Sequence, residues 1–131
     1  MSRVSGLVVD TSVWIDFFNG RPVPALEHGL EVGVVVLPPV VVAELVSGAR
    51  QPKHRAAIVG LIADLTIHET PIHHWVRVGD LRRRLSGKGI AVSTPDAHVA
   101  QCAIDLDAVL LSRDAVFQRI AGVVPLRLTT D

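Results

Sequence analysis

Four short runs dominated by Val and Leu punctuate the chain: "LVV" (Leu7 to Val9), "VVVL" (Val34 to Leu37), "AVLL" (Ala108 to Leu111) and "VVPLRL" (Val123 to Leu128). A strand with one wet face alternates apolar and polar side chains, whereas a strand covered on both faces is apolar throughout. Stretches with helical spacing lie between the runs, so helices are available to cover both faces. This pattern predicts an α/β fold around a small, mostly parallel central sheet.

The spacing places helices at about Ser12 to Phe18, Pro24 to Glu31, Pro39 to Ala49, Pro52 to Asp64, Ile72 to Leu85, Pro95 to Asp105 and Ala115 to Ala121. Pro24, Pro39, Pro52 and Pro95 stand where a first helical turn tolerates a missing amide hydrogen. Gly29, Gly48 and Gly87 suit helix ends. No repeat, low-complexity tract or linker interrupts the 131 residues, which is the length of one ordinary core; a single domain over 1–131 is expected.

Lys plus Arg equal Asp plus Glu at 13 each, so any nucleic-acid surface must be local rather than global. One cysteine, Cys102, excludes an internal disulfide and fits a reducing cytoplasm. The leading residues lack the pattern of a signal peptide, and no apolar stretch approaches the roughly 18 residues of a membrane span. A mean hydropathy of +0.41 points to a partner or a dimer, or alternatively to a Val-rich core with a sparing surface.

The acids are the informative residues. Asp10 directly follows "LVV" and Asp114 follows "AVLLSR", which puts both at the edge where open parallel sheets bind ligands. Either alone could be a turn residue or a helix cap. Glu44 lies in "PPVVVAELVSGA", a helix apolar almost all round and therefore expected to be buried, where an unpaired carboxylate would cost several kcal/mol. It must meet a cation, a metal or a cleft. Asp96 stands in the first turn of "TPDAHVAQCAIDL", with Thr94 as the expected N-cap, where the helix dipole favours an acid. Four acids from distant segments, with no cysteine cluster and no compelling histidine cluster, specify oxygen ligation of the kind Mg²⁺ or Mn²⁺ takes.

The series "VVDTSVWID", "VVVAELVSG", "STPDAHVAQCA" and "LLSRDAVFQRI" resembles PIN-domain ribonucleases, and within them the VapC-type toxins of bacterial toxin–antitoxin pairs. The resemblance runs in order over nearly the whole chain. It implies a three-layer α/β/α fold and makes Asp10, Glu44, Asp96 and Asp114 the acids that hold Mg²⁺ or Mn²⁺ for RNA hydrolysis. Ser12 and Ser112 match supporting hydroxyls near these acids, and Phe117 matches a core aromatic. Asp16, one turn beyond Ser12, is an auxiliary candidate whose alternative is a solvated helix acid. The resemblance further implies a homodimer and a small VapB-type antitoxin covering the cleft.

Other signals are weaker. Arg77, Arg82, Arg83, Arg84 and Lys88 could contact RNA phosphates or form a solvated helix face. His73 and His74 are neighbours that diverge on a helix and are read as surface residues. His98 points away from Asp96, and Cys102 is read as a small buried hydrophobe. Two other functions compete: an aspartyl-nucleophile phosphatase of haloacid-dehalogenase type, which typically carries a second acid where this chain has Ser12, and a non-cleaving binding module, which would be expected to lack one of the four acids.

Overall fold

The computed structural model describes residues 6–131; the reading of Met1 to Ser5 as free of a leader pattern lies outside the described residues. In chain order the elements are β1 (Leu7–Val9), α1 (Thr11–Phe18), α2 (Pro24–Val32), β2 (Val35–Leu37), α3 (Pro39–Gly48), α4 (Pro52–Ala63), β3 (Thr66–Ile67), α5 (Ile72–Ser86), α6 (Thr94–Asp105), β4 (Val109–Leu111), α7 (Ala115–Ala121) and β5 (Arg127–Thr129). The five strands form one sheet in the order β3-β2-β1-β4-β5. Every pairing is parallel, with Leu7 opposite both Val35 and Val109, and Val9 opposite Leu111.

Successive side chains of a strand point to opposite faces. Leu7, Val8 and Val9 are nevertheless all buried, so β1 is covered by helices on both sides, as its uninterrupted Val and Leu content predicts. Trp14, Leu26, Leu37, Leu110, Phe117 and Ile120 join these valines in the core. Gly29 is required where α2 crosses the sheet: a Cβ there would lie 2.9 Å from Leu7 Cδ2 and 3.1 Å from Val35 Cγ2. It therefore serves close packing inside α2, and the helix end expected of it falls to Gly33, which takes φ 73°.

Two strands differ from expectation. The two-residue β3 at the sheet edge has no apolar run to announce it. The last strand begins at Arg127 rather than Val123, because the amides of Val123 and Val124 both bond back to Ile120 and Pro125 has no amide to give a ladder.

Two runs of strands grow from β1 in opposite directions, β2 and β3 on one side and β4 and β5 on the other. The carboxyl edge between β1 and β4 is thus the point where strand order reverses, and crevices in open α/β sheets form there.

Candidate functional site

Asp10 continues β1 into this crevice. Its amide bonds to the Leu111 carbonyl at 3.0 Å, and its carboxylate caps α1 by accepting from the Thr11 amide at 2.9 Å. The second carboxylate oxygen accepts from Ser12 Oγ at 3.1 Å and from Ser112 Oγ at 3.0 Å. The Ser112 bond links the ends of β1 and β4 across the switch point. Ser112 Oγ also accepts from the Asp114 amide at 3.1 Å, and Asp114 caps α7 through a 3.0 Å bond from the Val116 amide. Both strand-end acids are therefore helix caps and crevice residues at once.

Glu44 enters from α3. The helix buries Val41 and Leu45, one turn apart, while Glu44 lies on the exposed side, contrary to the expectation that its apolar surroundings would bury it. Thr11 Oγ1 donates to Glu44 Oε1 at 2.7 Å, which ties the acid to the start of α1 beside Asp10. Asp96 is half-buried in the first turn of α6. The N-cap is Ser93 rather than Thr94: its hydroxyl accepts from the Asp96 amide at 3.2 Å.

Two of the acids, Asp10 and Asp96, carry the mark of their neighbours' charge. The Asp10 carboxyl is raised above its ordinary range chiefly by burial; hydrogen bonds from Ser112, Ser12 and Thr11 oppose the shift, and the charge of Asp96 adds to it. Asp96 is raised by burial, with Ser93 opposing, and by the charges of Asp114 and Glu44. Like charges at one edge disfavour ionisation of each other. No lysine or arginine is bonded to any of these four carboxylates among the described residues. The donor set is all oxygen, suited to a hard divalent cation. The acids are splayed: among the described residues, the set of three potential ligands whose atoms all lie within 4.8 Å is not acidic but His68, His74 and Cys102.

A family profile described as the PIN domain matches residues 7–123. The chain belongs to the PIN-domain family. This PIN domain matches the DNA-bound VapBC of Salmonella typhimurium with a TM-score of 0.80 at 23% identity, over 96% of this chain and 98% of that one. It matches VapBC2 of Rickettsia felis bound to a promoter DNA fragment with a TM-score of 0.76 at 22% identity, covering 94% and 96% of the two chains. For VapBC-5 of Mycobacterium tuberculosis the TM-score is 0.65 at 23% identity, covering 95% and 98%. No curated protein sequence matches significantly. At such identities the likeness is one of fold.

The remaining expected residues of the PIN domain fall elsewhere. Asp16 bonds to none of the four acids; it is ion-paired with Arg21 at 2.6 Å and Arg113 at 3.1 Å, not freely solvated. Arg77 is committed to Asp105 through two bonds of 3.1 and 2.8 Å. Arg82 donates to the Val92 carbonyl and Arg84 to the Val123 carbonyl, while Arg83 and Lys88 are exposed. Arg82 and Arg83 line a groove of 610 Å³ with Ser86, Ile90, Val92 and Ser93, the cap of the helix that bears Asp96. A second hollow of 330 Å³, walled by Ile15, Phe18, Leu45 and Ile58, reaches Glu44.

Sequence reasoning missed Thr11 and Ser93, although each adjoins or precedes an acid at capping distance. It also missed a buried polar cluster, because His74, read as a surface residue, is fully buried against His98 and Cys102. The visible signal was the four-residue spacing of His98 and Cys102, which puts both on one side of α6.

Proposed function

We propose that the chain is an Mg²⁺- or Mn²⁺-dependent endoribonuclease, the toxin of a VapBC-type pair acting in the cytoplasm. The supporting observation is the approach of Asp10, Glu44, Asp96 and Asp114 to the switch point of a PIN fold, with no lysine or arginine bonded to them among the described residues. These four would hold the cation. A divalent ion bound there supplies Lewis acidity toward water and phosphate and offsets charge building on the phosphodiester oxygens.

The chain's own residues set the geometry. Ser12, Ser112 and the Thr11 amide fix both oxygens of Asp10 and favour its ionised form. Thr11 holds Glu44 through one oxygen, and the Val116 amide holds Asp114 through one, which leaves the other oxygen of each for a further partner. Ser93, the cap of the helix that bears Asp96, lines the same groove as Arg82 and Arg83, so an RNA strand lying in it would pass near Asp96. Arg84 and Lys88, near these residues in sequence, are further candidates for phosphate contact.

The apolar hollow ending at Glu44 suits an antitoxin segment that presents apolar side chains and a basic one to the acids. A homodimer belongs to this reading, supported by the exposure of Ile72 and Val76, one turn apart on α5. Among the described residues no helix is long and apolar enough to cross a membrane.

The test is cleavage of structured and unstructured RNAs by purified protein with Mg²⁺ or Mn²⁺, beside Asp10→Asn and Glu44→Gln. Cleavage that both variants lose is expected; equal cleavage by all three proteins overturns the assignment.

A further inference from the structure

We propose that His68, His74 and Cys102 form a zinc-binding site, distinct from the acidic crevice, that joins the end of β3 to α5 and α6. The three residues come from separate elements, yet one ligand atom of each lies within 4.8 Å of the other two. His74 and Cys102 are fully buried and His68 is half-buried on the solvent side. Imidazole and thiolate donors are the set zinc takes, in contrast to the all-oxygen crevice.

The surroundings favour that use. Asp105 Oδ2 lies 3.0 Å from His74 Nδ1, and the carboxylate is itself held by Arg77 at 2.8 Å and Gln101 at 2.8 Å. A carboxylate on Nδ1 assigns the proton to that nitrogen and leaves the lone pair on Nε2, the arrangement that orients metal-ligating imidazoles. His74 Nε2 points inward, 2.7 Å from His98 Nδ1 and 4.0 Å from Cys102 Sγ. In tetrahedral zinc sites with Zn–N of about 2.0 Å and Zn–S of about 2.3 Å, neighbouring N and S ligands stand about 3.5 Å apart. Cys102 thus needs to close by only a few tenths of an ångström.

Entry of the ion exchanges the His98 to His74 hydrogen bond for a coordinate bond. His98 is a positioning residue here, kept in place by Trp75, whose ring stacks on it at 4.4 Å and 3°. The Cys102 thiol proton passes to solvent as the S–Zn bond forms, and no electron is transferred. Zinc and thiolate leave one positive charge, which faces Asp105 through His74. Three protein ligands are enough when water completes the tetrahedron.

The full-length chain, stripped with EDTA and kept in excess Mg²⁺ to occupy the acids, is titrated with Co²⁺ as a spectroscopic stand-in and then with Zn²⁺. Expected are one equivalent of Co²⁺ with a near-ultraviolet sulfur-to-cobalt band, its displacement by Zn²⁺, and a rise in Tm with Zn²⁺. Asp10→Asn should retain the band, Cys102→Ser should lose it, and His68→Gln and Asp105→Asn should weaken binding roughly 10- to 100-fold. His68 is only half-buried, so His68→Gln decides the matter if Cys102→Ser does not fold. Absence of the band in wild type, or unchanged affinity in a folded His68→Gln, overturns the proposal.

Discussion

Acid should unfold this protein through His98. The imidazole is fully buried, and its pKa is lowered to about 4, mainly by burial and then by the neighbouring His74 and His68. In the unfolded chain it titrates near its ordinary value of about 6.5. Between these values the unfolded state binds a proton that the folded state refuses, so stability is full above about pH 6.5 and falls as pH drops toward 4. A lowering from 6.5 to about 4 corresponds to a ceiling of about 3 kcal/mol. That is a large share of the roughly 5–15 kcal/mol that holds a domain folded. Asp10 and Asp96 work in the opposite direction, since their raised carboxyls take up protons in the folded state first. His98→Asn isolates the effect, because an amide retains a donor toward His74 but does not titrate in this range. Urea denaturation followed by circular dichroism, in EDTA from pH 4.5 to 7.5, should show wild-type stability falling by about 2 to 3 kcal/mol relative to the variant. Parallel pH profiles for the two proteins would refute the reasoning.

Ser112→Ala removes a hydroxyl that lowers the Asp10 pKa, so the acidic limb of a cleavage pH–rate profile should move to higher pH; an unmoved limb would mean that Asp10 does not govern it. Gly29→Ala should lower stability by about 1–2 kcal/mol through its clash with Leu7 and Val35, whereas Gly60→Ala, where a Cβ meets nothing within 4 Å, should gain up to about 1 kcal/mol from helix propensity; paired urea melts check both signs. Arg83→Ala should weaken binding of unrelated RNAs by similar factors and reduce the salt slope by roughly 0.7, measured by fluorescence anisotropy across ionic strengths on the Asp10→Asn background.

The sheet was readable because burial on both faces demands unbroken apolar runs, and three of the five strands consist of them. β3 was not, since a two-residue edge strand with exposed Thr66 buries too little to leave a pattern. Asp10 and Asp114 were legible as strand-end acids, although only the strand order brings them to one switch point. Glu44 was singled out on an expectation of burial that the structure overturns. An apolar average hid the fact that α3 buries only Val41 and Leu45, leaving its acid at an open cleft. The histidines show the limit most clearly: His73 and His74 do diverge, but divergence puts one of them in the core. What it meets there depends on how α5 lies against α6, and no local pattern records that.

α6 explains how one short segment serves two unlike environments. Residues two apart on a helix differ by about 200° in direction, so Asp96 and His98 necessarily look to opposite sides. Seven consecutive residues, Ala97 to Ala103, are buried, which means α6 is enclosed by neighbours rather than laid on a surface. An enclosed helix must satisfy polar groups on every side, and here it does so with the Asp96 carboxylate toward the crevice and an imidazole–thiol cluster toward α5. Cys102 stands six residues from Asp96, about 9 Å along the axis. The Ser93 cap fixes Asp96 locally, independently of what fills the far side. Softer donor groups can therefore gather in the interior without displacing the oxygen donors at the edge, and the two proposed sites would suit different classes of cation.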